Sequence, residues 1–498
     1  MKRLIAVAVS SLLLSASLLP AQPVNLGLFT ANQDIGSPSH AGSALYDPAT
    51  GTYLVTGGGM NLWGTNDNFQ FVYKEMSGDL SFSANVRWPK PGGNPHRKAC
   101  LIIRQSLDSN SPYVDVALHG VGLTALQYRE TKGGITQETQ SGFSGPERIG
   151  IEKRGDYVSF WTSTRGEALH PAGGSFKLPF SGPFYVGLVA CAHDDTTSEQ
   201  AEFSKVELQA LPSLAADAKG EVQSTLEYMP VASTDRTILW HTNVNLQAPN
   251  WTKDNHLIFN SGGKLYQMGV SNATAPEAIN IAEVRNINND HGISPDGTRL
   301  AISAGNPSRI YVGPVTGGAF KLITPAGPSY FHGWSPDGRM LAFCGQRNGQ
   351  FGIYTVPAEG GEEKQLTTTP GLDDGPEYSP DGQYIYFNSD RSGLMQIWRM
   401  KADGSAPTQL TPNDDHNNWF AHLSPDGRRM VFLTFNHDVK SNDHPANKDV
   451  ALRLMPVNGG AITTLAKFFG GQGTINVASW SPDSRNIAFV TYTTIYPR

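Results

Sequence analysis

The clearest pattern in the C-terminal half of the chain is a repeated alternation of short apolar runs with polar turns. Each repeat has an apolar residue, then Ser-Pro-Asp-Gly, then a second apolar run such as Met340-Leu341-Ala342-Phe343 or Tyr384-Ile385-Tyr386-Phe387. Proline presets φ and glycine permits positive φ, so this tetrapeptide reverses the chain between two strands. The alternation therefore predicts a series of strand-turn-strand units.

The repeat recurs at the spacing of a four-stranded propeller blade. Its copies, two of them degenerate, start at Thr252, Ser294, Ser335, Ser379, Ser424 and Ser481. Six copies predict a six-bladed β-propeller over residues 221–498. The last copy supplies only two strands before the chain ends, so we expect the segment Ser224 to His241 to complete the final blade and close the ring.

The N-terminal half shows a different pattern, with apolar residues at every second position. Leu80, Phe82, Ala84, Val86 and Trp88 fall on one face of a strand, and similar runs follow up to Cys191. Several such strands separated by turns predict a β-sandwich over residues 24–208, joined to the propeller by a linker at 209–220. Both halves are thus predicted to be all-β.

The first 21 residues have the composition of a signal peptide. Met1-Lys2-Arg3 is basic, residues 4–19 are apolar, and small residues at Ala16 and Ala21 suit cleavage. The apolar run is interrupted by serines and is shorter than the roughly 20 residues of a membrane-spanning helix. We therefore expect a periplasmic or secreted protein that does not span the membrane.

Charge and cysteine content narrow the function classes further. The net charge is −6 without long charged runs, which excludes a nucleic-acid partner and an anionic membrane surface. Three cysteines are too few for a disulfide framework and too scattered for a zinc site. Cys100 and Cys191 lie in strand-like runs of the same domain, and both a disulfide and two buried thiols fit this pattern.

Two resemblances follow from these residues. The Ser-Pro-Asp-Gly repeat resembles the propeller of the TolB family, the periplasmic component of the Tol system, from about residue 220 to 498, which implies an envelope protein as partner. The N-terminal half departs from the mixed α/β domain of that family. Its segments Ser77 to Leu80, Leu101 to Arg104 and Ser111 to Val114 resemble concanavalin-like jelly-roll domains, which implies a jelly roll and a glycan partner.

The propeller pattern also predicts where a site would lie. First strands line the central channel, and unusual polar residues cluster on the face opposite the Ser-Pro-Asp-Gly turns, so we expect them to converge at one channel mouth. The candidate binding residues are Asp290, Asp374, Glu377, Arg391, Asn418 and His444. An arginine there suits recognition of a carboxylate by paired hydrogen bonds.

Histidines near the same mouth raise the question of a metal. His291, His332 and His422 are candidate ligands for a divalent ion, because imidazole is a common ligand of zinc, manganese and iron. No local metal motif is present, no cofactor is otherwise indicated, and no catalytic residue is assigned. Whether the protein is an enzyme stays open at this point.

Two functions remain after this reasoning. The first is extracytoplasmic recognition of a polymer or protein partner, a glycan among them, at the propeller mouth. The second rests on a looser resemblance to oligogalacturonate lyases, which are TolB-like propellers with channel histidines that hold a metal. It implies a metal-assisted polysaccharide lyase or glycoside hydrolase acting at the same mouth.

Overall fold

A computed structural model describes residues 25–164, 166–215, 217–271, 274–412 and 415–497. The predicted signal peptide at residues 1–21 lies outside this part of the chain. The described residues form strands and turns throughout, as the alternating pattern predicted, and none of them belongs to a helix that could cross a membrane.

The N-terminal domain consists of sixteen strands. They are β1 Ala31–Ile35, β2 Ser43–Asp47, β3 Thr52–Gly57, β4 Leu62–Trp63, β5 Asn66–Asp67, β6 Phe69–Met76, β7 Asp79–Arg87, β8 Lys98–Arg104, β9 Tyr113–His119, β10 Thr124–Arg129, β11 Gln137–Gln140, β12 Arg148–Arg154, β13 Tyr157–Ser163, β14 His170–Lys177, β15 Phe184–Cys191 and β16 Glu199–Leu211. One sheet has the order β1-β6-β15-β8-β9-β10-β11, and the facing sheet has the order β14-β13-β12-β7-β16-β3-β2. The jelly-roll assignment of this sandwich stays a prediction.

The sandwich core lies between these two sheets, where the period-two pattern placed it. Leu80, Phe82, Ala84 and Val86 of β7 are buried in one apolar cluster with side chains of the opposite sheet. Cys100 and Cys191 project from the other face of their sheet and are buried as free thiols. The alternation of each strand thus divides its side chains between two separate apolar clusters.

A charged cluster without solvent contact fixes the loops that cover the outer face of the first sheet. Asp67 pairs with Arg129 at 2.7 Å and with Arg104 at 3.5 Å, and all three side chains are fully buried. Further guanidinium hydrogens are donated to the backbone oxygens of surrounding loops. Since a buried charge is tolerated only when paired and hydrogen-bonded, this cluster ties the loops to the sheet.

The C-terminal half contains the remaining strands. They are β17 Glu221–Pro230, β18 Asp235–Thr242, β19 Leu246–Trp251, β20 His256–Ser261, β21 Lys264–Gly269, β22 Glu277–Ile279, β23 Ile281–Ala282, β24 Ile287–Ile293, β25 Arg299–Ala304, β26 Arg309–Pro314, β27 Gly318–Ala319, β28 Lys321–Leu322, β29 Ser329–Trp334, β30 Met340–Arg347, β31 Gln350–Pro357, β32 Lys364–Gln365, β33 Asp373–Tyr378, β34 Tyr384–Ser389, β35 Gln396–Lys401, β36 Thr408–Gln409, β37 His416–Leu423, β38 Arg429–Asn436, β39 Ala446–Pro456, β40 Thr463–Gly471 and β41 Asn486–Ile495.

These strands form five separate four-stranded blades, not the six that the repeat count predicted. The blades are β19-β20-β21-β22, β24-β25-β26-β28, β29-β30-β31-β32, β33-β34-β35-β36 and β37-β38-β39-β40. The sixth copy of the repeat does not make a sheet of its own. Before its turn only Trp480 forms a bridge, to Ile487, and its one long strand, β41, joins a larger sheet.

That larger sheet connects the two halves of the protein. β17 pairs antiparallel with β41 along its whole length, from Glu221 opposite Ile495 to Pro230 opposite Asn486, which is the pairing expected for the segment before the first repeat. β18 pairs with β17 and also runs parallel to β11 of the sandwich. One ten-stranded sheet therefore crosses from the sandwich to the propeller.

The repeated turn owes its regularity to the same hydrogen bonds in every copy. In one copy the Ser335 hydroxyl donates to Asp337 at 2.6 Å and accepts from the Met340 amide at 2.9 Å. Gly338 has a φ of +69°, which glycine adopts without steric cost. In the degenerate last copy Ser484 takes this position at +60°, and the serine–aspartate bond is kept.

Candidate functional site

The first strand of each blade faces the channel and delivers the candidate side chains. Strands β19, β24, β29, β33 and β37 pack against their neighbours in turn around the ring. In each of them the pairing register shifts within the last few residues before the turn. Such irregularities bend a strand and re-aim its side chains, so they decide which residues reach the channel axis.

The predicted convergence occurs at one end of the channel for part of the set. Asp290, His332, Asp374 and His444, from four different blades, line one cavity of about 810 Å³, which we call the mouth. Its other lining residues are Asn288, Asn289, Tyr330, Cys344, Phe351, Leu372, Phe420, Gln472 and Asn476. No lysine or arginine of the described residues lines the mouth.

His332 and Asp374 form a close pair in the lining of the mouth, and His444 lies near the same carboxylate. Nε2 of His332 is 3.2 Å from Oδ1 of Asp374, and Nε2 of His444 is 4.0 Å from Oδ2 of the same carboxylate. Burial would lower the pKa of His332, but the negative charge of Asp374 raises it overall. Burial would likewise raise the pKa of Asp374, but His332 holds it well below its usual range. Each member of the pair thus favours the charged form of the other.

Asp290 differs because no cation of its own accompanies it. Its side chain is buried, and within the described residues no lysine or arginine pairs with it. Burial, together with the charge of Asp374, raises the pKa of Asp290 to about 6, and His332 only partly opposes this. Above about pH 6 this buried carboxylate is ionised, with no lysine or arginine among the described lining residues of the mouth.

Aromatic rings complete the mouth. The ring of Phe420 stacks on His332 with centroids 6.3 Å apart and meets His444 edge-on at 5.1 Å. Phe420 has a φ of +54°, which is costly for a bulky residue and is typical of sites where function fixes the backbone. Its amide donates to Asn388 at 2.9 Å, which helps to hold this conformation.

His291 and Glu377 lie in a different cavity from the mouth. They line a space of about 990 Å³ on the side of the Ser-Pro-Asp-Gly turns, and of the nine candidates only His332 lines both spaces. Burial lowers the pKa of His291 to about 3, slightly offset by the Ala248 backbone. The two cavities lie at different distances from the turns along the first strands. Glu377 stands two residues before its turn serine and Asp374 stands five, and a strand rises about 3.3 Å per residue.

His422 is occupied by bonds between blades. Its Nδ1 lies 2.7 Å from Oε2 of Glu377, and its Nε2 contacts the Ile475 carbonyl. The other oxygen of Glu377 accepts the Leu423 amide at 2.8 Å. Both ring nitrogens of His422 are thus used to join blades, which is a structural role.

Arg391 and Asn418 line neither cavity. The Arg391 guanidinium donates to both oxygens of Asp373, at 2.8 and 2.9 Å, and its plane lies over Trp398 within the blade. Asn418 is fully buried and is hydrogen-bonded to Gln396 and Thr434. The expectation that Arg391 would recognise a carboxylate at the mouth gains no support from this geometry.

The metal hypothesis likewise gains no support. Within the described residues, no group of three or more His, Cys, Asp or Glu side chains is placed to hold a metal ion. His291, His332 and His422 each have different surroundings and do not share a centre. The divalent ion stays a sequence-based prediction.

Several mouth residues were missed from the sequence. Tyr330 and Phe420 stand five and four residues before their turn serines, so alignment of the copies on that serine would have found them. Phe351 and Asn476 come from other parts of their repeats and carry no such signal.

Comparisons with known proteins agree with the propeller. Residues 293–456 match the family model of the TolB beta propeller domain. An uncharacterised protein of Agrobacterium fabrum is 43% identical over 283 residues, which are 56% of this chain and 96% of that protein.

One solved structure gives the same result. A TolB-like protein of Agrobacterium tumefaciens matches with a TM-score of 0.53 and 43% identity, over 55% of this chain and all of that one. TolB of Acinetobacter baumannii matches with a TM-score of 0.40 and 17% identity, over 65% of this chain and 79% of that one.

Proposed function

Because this chain belongs to the TolB-like β-propeller family, we propose that it is an exported recognition protein whose mouth binds a positively charged group of a protein partner. The proposal rests on the buried side chain of Asp290 in the lining of the mouth. Its carboxylate is buried at the mouth, and the neighbouring His332 is paired with Asp374. A ligand that brings a positive charge supplies the missing partner.

The rest of the mouth fits an amino group or a guanidinium on a peptide. Tyr330, Phe351 and Phe420 offer ring faces, which attract cations and pack against apolar neighbours of the charged residue. Amide side chains such as Asn288 and Gln472 can hydrogen-bond a peptide backbone.

The same features disfavour a uronate as ligand. A substrate carboxylate would meet Asp290 and Asp374, whereas Arg391, which was expected to receive it, is bound to Asp373 inside a blade. Placing a ligand carboxylate beside carboxylates of the protein costs several kcal/mol of binding free energy. The observations therefore favour a basic protein segment over an acidic glycan.

A peptide selection tests the proposal. The purified mature protein is panned against a random peptide library, and enriched peptides are resynthesised and measured by fluorescence anisotropy. We expect enrichment of a lysine, arginine or free amino terminus next to an apolar residue. Binding should weaken at least tenfold in Asp290→Asn, and the control Asp438→Asn, an exposed carboxylate that does not line the mouth, should leave it unchanged.

Two results would contradict the proposal. One is selection of peptides without any positive charge. The other is basic peptides whose affinity does not respond to Asp290→Asn. Release of unsaturated products from a panel of polyuronides, if lost in His332→Ala, would instead support the lyase alternative.

A further inference from the structure

A separate cavity of about 650 Å³ lies between the sandwich and the sheet that closes the propeller. It shares no lining residue with the mouth or with the cavity on the opposite side of the channel. Strands β12, β13 and β14 form one wall, and β40, β41 and the residue after β41, Tyr496, form the other. Small-molecule sites occur preferentially at such domain boundaries.

The two walls are held together by specific contacts. At Gly173 of β14 an added Cβ would lie 3.1 Å from the Thr225 methyl group, and the amide of the next glycine donates to the Thr225 hydroxyl at 3.2 Å. At the rim, the hydroxyl of Tyr157 donates to Asp449, and Lys177 pairs with the same carboxylate at 2.6 Å. The cavity is consequently a fixed feature of the domain interface.

Aromatic rings form the apolar part of the lining. Tyr157 from the sandwich meets Phe469 from the propeller edge-on, with ring centroids 5.7 Å apart. Tyr496 lines the same space. These three rings come from both domains, so a molecule lying against them would touch both.

Polar groups form most of the rest of the lining, and Glu152, Arg154, Ser175 and Thr493 among them are buried. Glu152 and Arg154, which are 3% and 9% exposed, pair with each other at 3.2 Å. The Thr493 hydroxyl is buried and has no hydrogen-bond partner among the described residues. A buried hydroxyl without a hydrogen-bond partner is unfavourable, so a ligand that reaches Thr493 and bonds to it would stabilise the protein.

We propose that this cavity binds an uncharged polyhydroxylated ring, the chemistry of a saccharide residue, against its aromatic side chains and the Thr493 hydroxyl. A purely apolar ligand would leave the buried charged pair and this hydroxyl without compensation. A charged ligand would have to compete with one member of the Glu152–Arg154 pair, which is expensive when both are buried. A ring with apolar faces and hydroxyl edges satisfies both halves of the lining.

Calorimetric titration of the full mature chain tests this. The probes are glucose and N-acetylglucosamine, with phenol as an apolar ring and benzoate as a charged ring. We expect saturable binding of at least one saccharide in the millimolar range or tighter. Thr493→Val, which keeps the shape and removes the hydroxyl, should weaken it by about tenfold. Phe469→Ala should weaken it as well, and Thr463→Val, an exposed site on the same strand as Phe469, should not.

Each other outcome overturns the proposal. The ligand class is wrong if neither glucose nor N-acetylglucosamine binds. It is also wrong if phenol or benzoate binds more tightly than both saccharides. Saccharide binding that neither Thr493→Val nor Phe469→Ala weakens would place it elsewhere. Thermal unfolding of each variant verifies the fold, and Phe469→Ala carries the test if Thr493→Val is unfolded. Asp290→Asn must leave saccharide binding intact, which separates this cavity from the mouth.

Discussion

Replacing Asp290 by asparagine should make the protein more stable near neutral pH while it impairs binding at the mouth. The carboxyl is buried, and burial raises its pKa from the ordinary 3.8 to about 6. The native state therefore holds this proton more tightly than the unfolded chain does. The contribution of the Asp290 carboxyl to the free energy of unfolding is fully present below about pH 4 and is lost as the pH rises through about 6.

The size of the effect follows from the two pKa values. A difference of about two pKa units corresponds to about 3 kcal/mol of native-state cost once the carboxyl is ionised. The pKa of about 6 already includes the attraction to His332, so removing the charge in Asp290→Asn should stabilise the protein by up to about 3 kcal/mol at pH 7. Below pH 4 the two proteins should unfold at nearly the same denaturant concentration.

Urea denaturation followed by tryptophan fluorescence at several pH values from 4 to 7 measures this difference. Because the charge of Asp290 also raises the pKa of His332, part of the pH dependence in this comparison comes from His332. The exposed carboxylate variant Asp438→Asn serves as control and should follow the wild type throughout. Curves for Asp290→Asn and wild type that stay parallel from pH 4 to 7 would refute the reasoning, since the cost must appear only on ionisation.

Three further predictions concern the framework. Asp67→Asn leaves two buried guanidinium groups without their carboxylate and should cost about 3–5 kcal/mol in urea denaturation. Gly173→Ala should lower the free energy of unfolding by more than about 1 kcal/mol, because φ is +86° and the added methyl is crowded. Gly155 also has a positive φ but lies in open space, so Gly155→Ala should lower the free energy of unfolding by less; thermal unfolding of both variants measures the difference. Ser335→Ala removes two turn hydrogen bonds and should cost about 1 kcal/mol, measured by thermal unfolding.

The repeat turn shows how far local sequence can reach. Serine, proline, aspartate and glycine define a hydrogen-bonded turn without help from distant residues, and all six copies form it, the degenerate ones included. The alternation in β7 placed Leu80 and Phe82 in the core for the same reason, because side chains of a strand alternate by geometry. The pairing of β17 with β41 followed from the need to cover an open edge.

The blade count could not be read from the repeat alone. A sixth turn forms at Ser481, yet the strands around it join the sandwich through β18 and β11. Which sheet a strand joins depends on which strand edges meet in space. The edge that β18 joins is β11, which lies almost a hundred residues earlier in the chain. The number of turns therefore does not fix the number of separate sheets.

For the site, the sequence by itself determined that polar residues of separate blades would face one channel, because every first strand precedes the same turn. It did not determine which of them would share a cavity. Shifts of register in the first strands placed Asp290, His332 and Asp374 at the mouth and turned Glu377 and His422 towards each other. Those shifts, and the capture of Arg391 by Asp373 within its own blade, depend on how the strands pair in space, which only the tertiary structure decides.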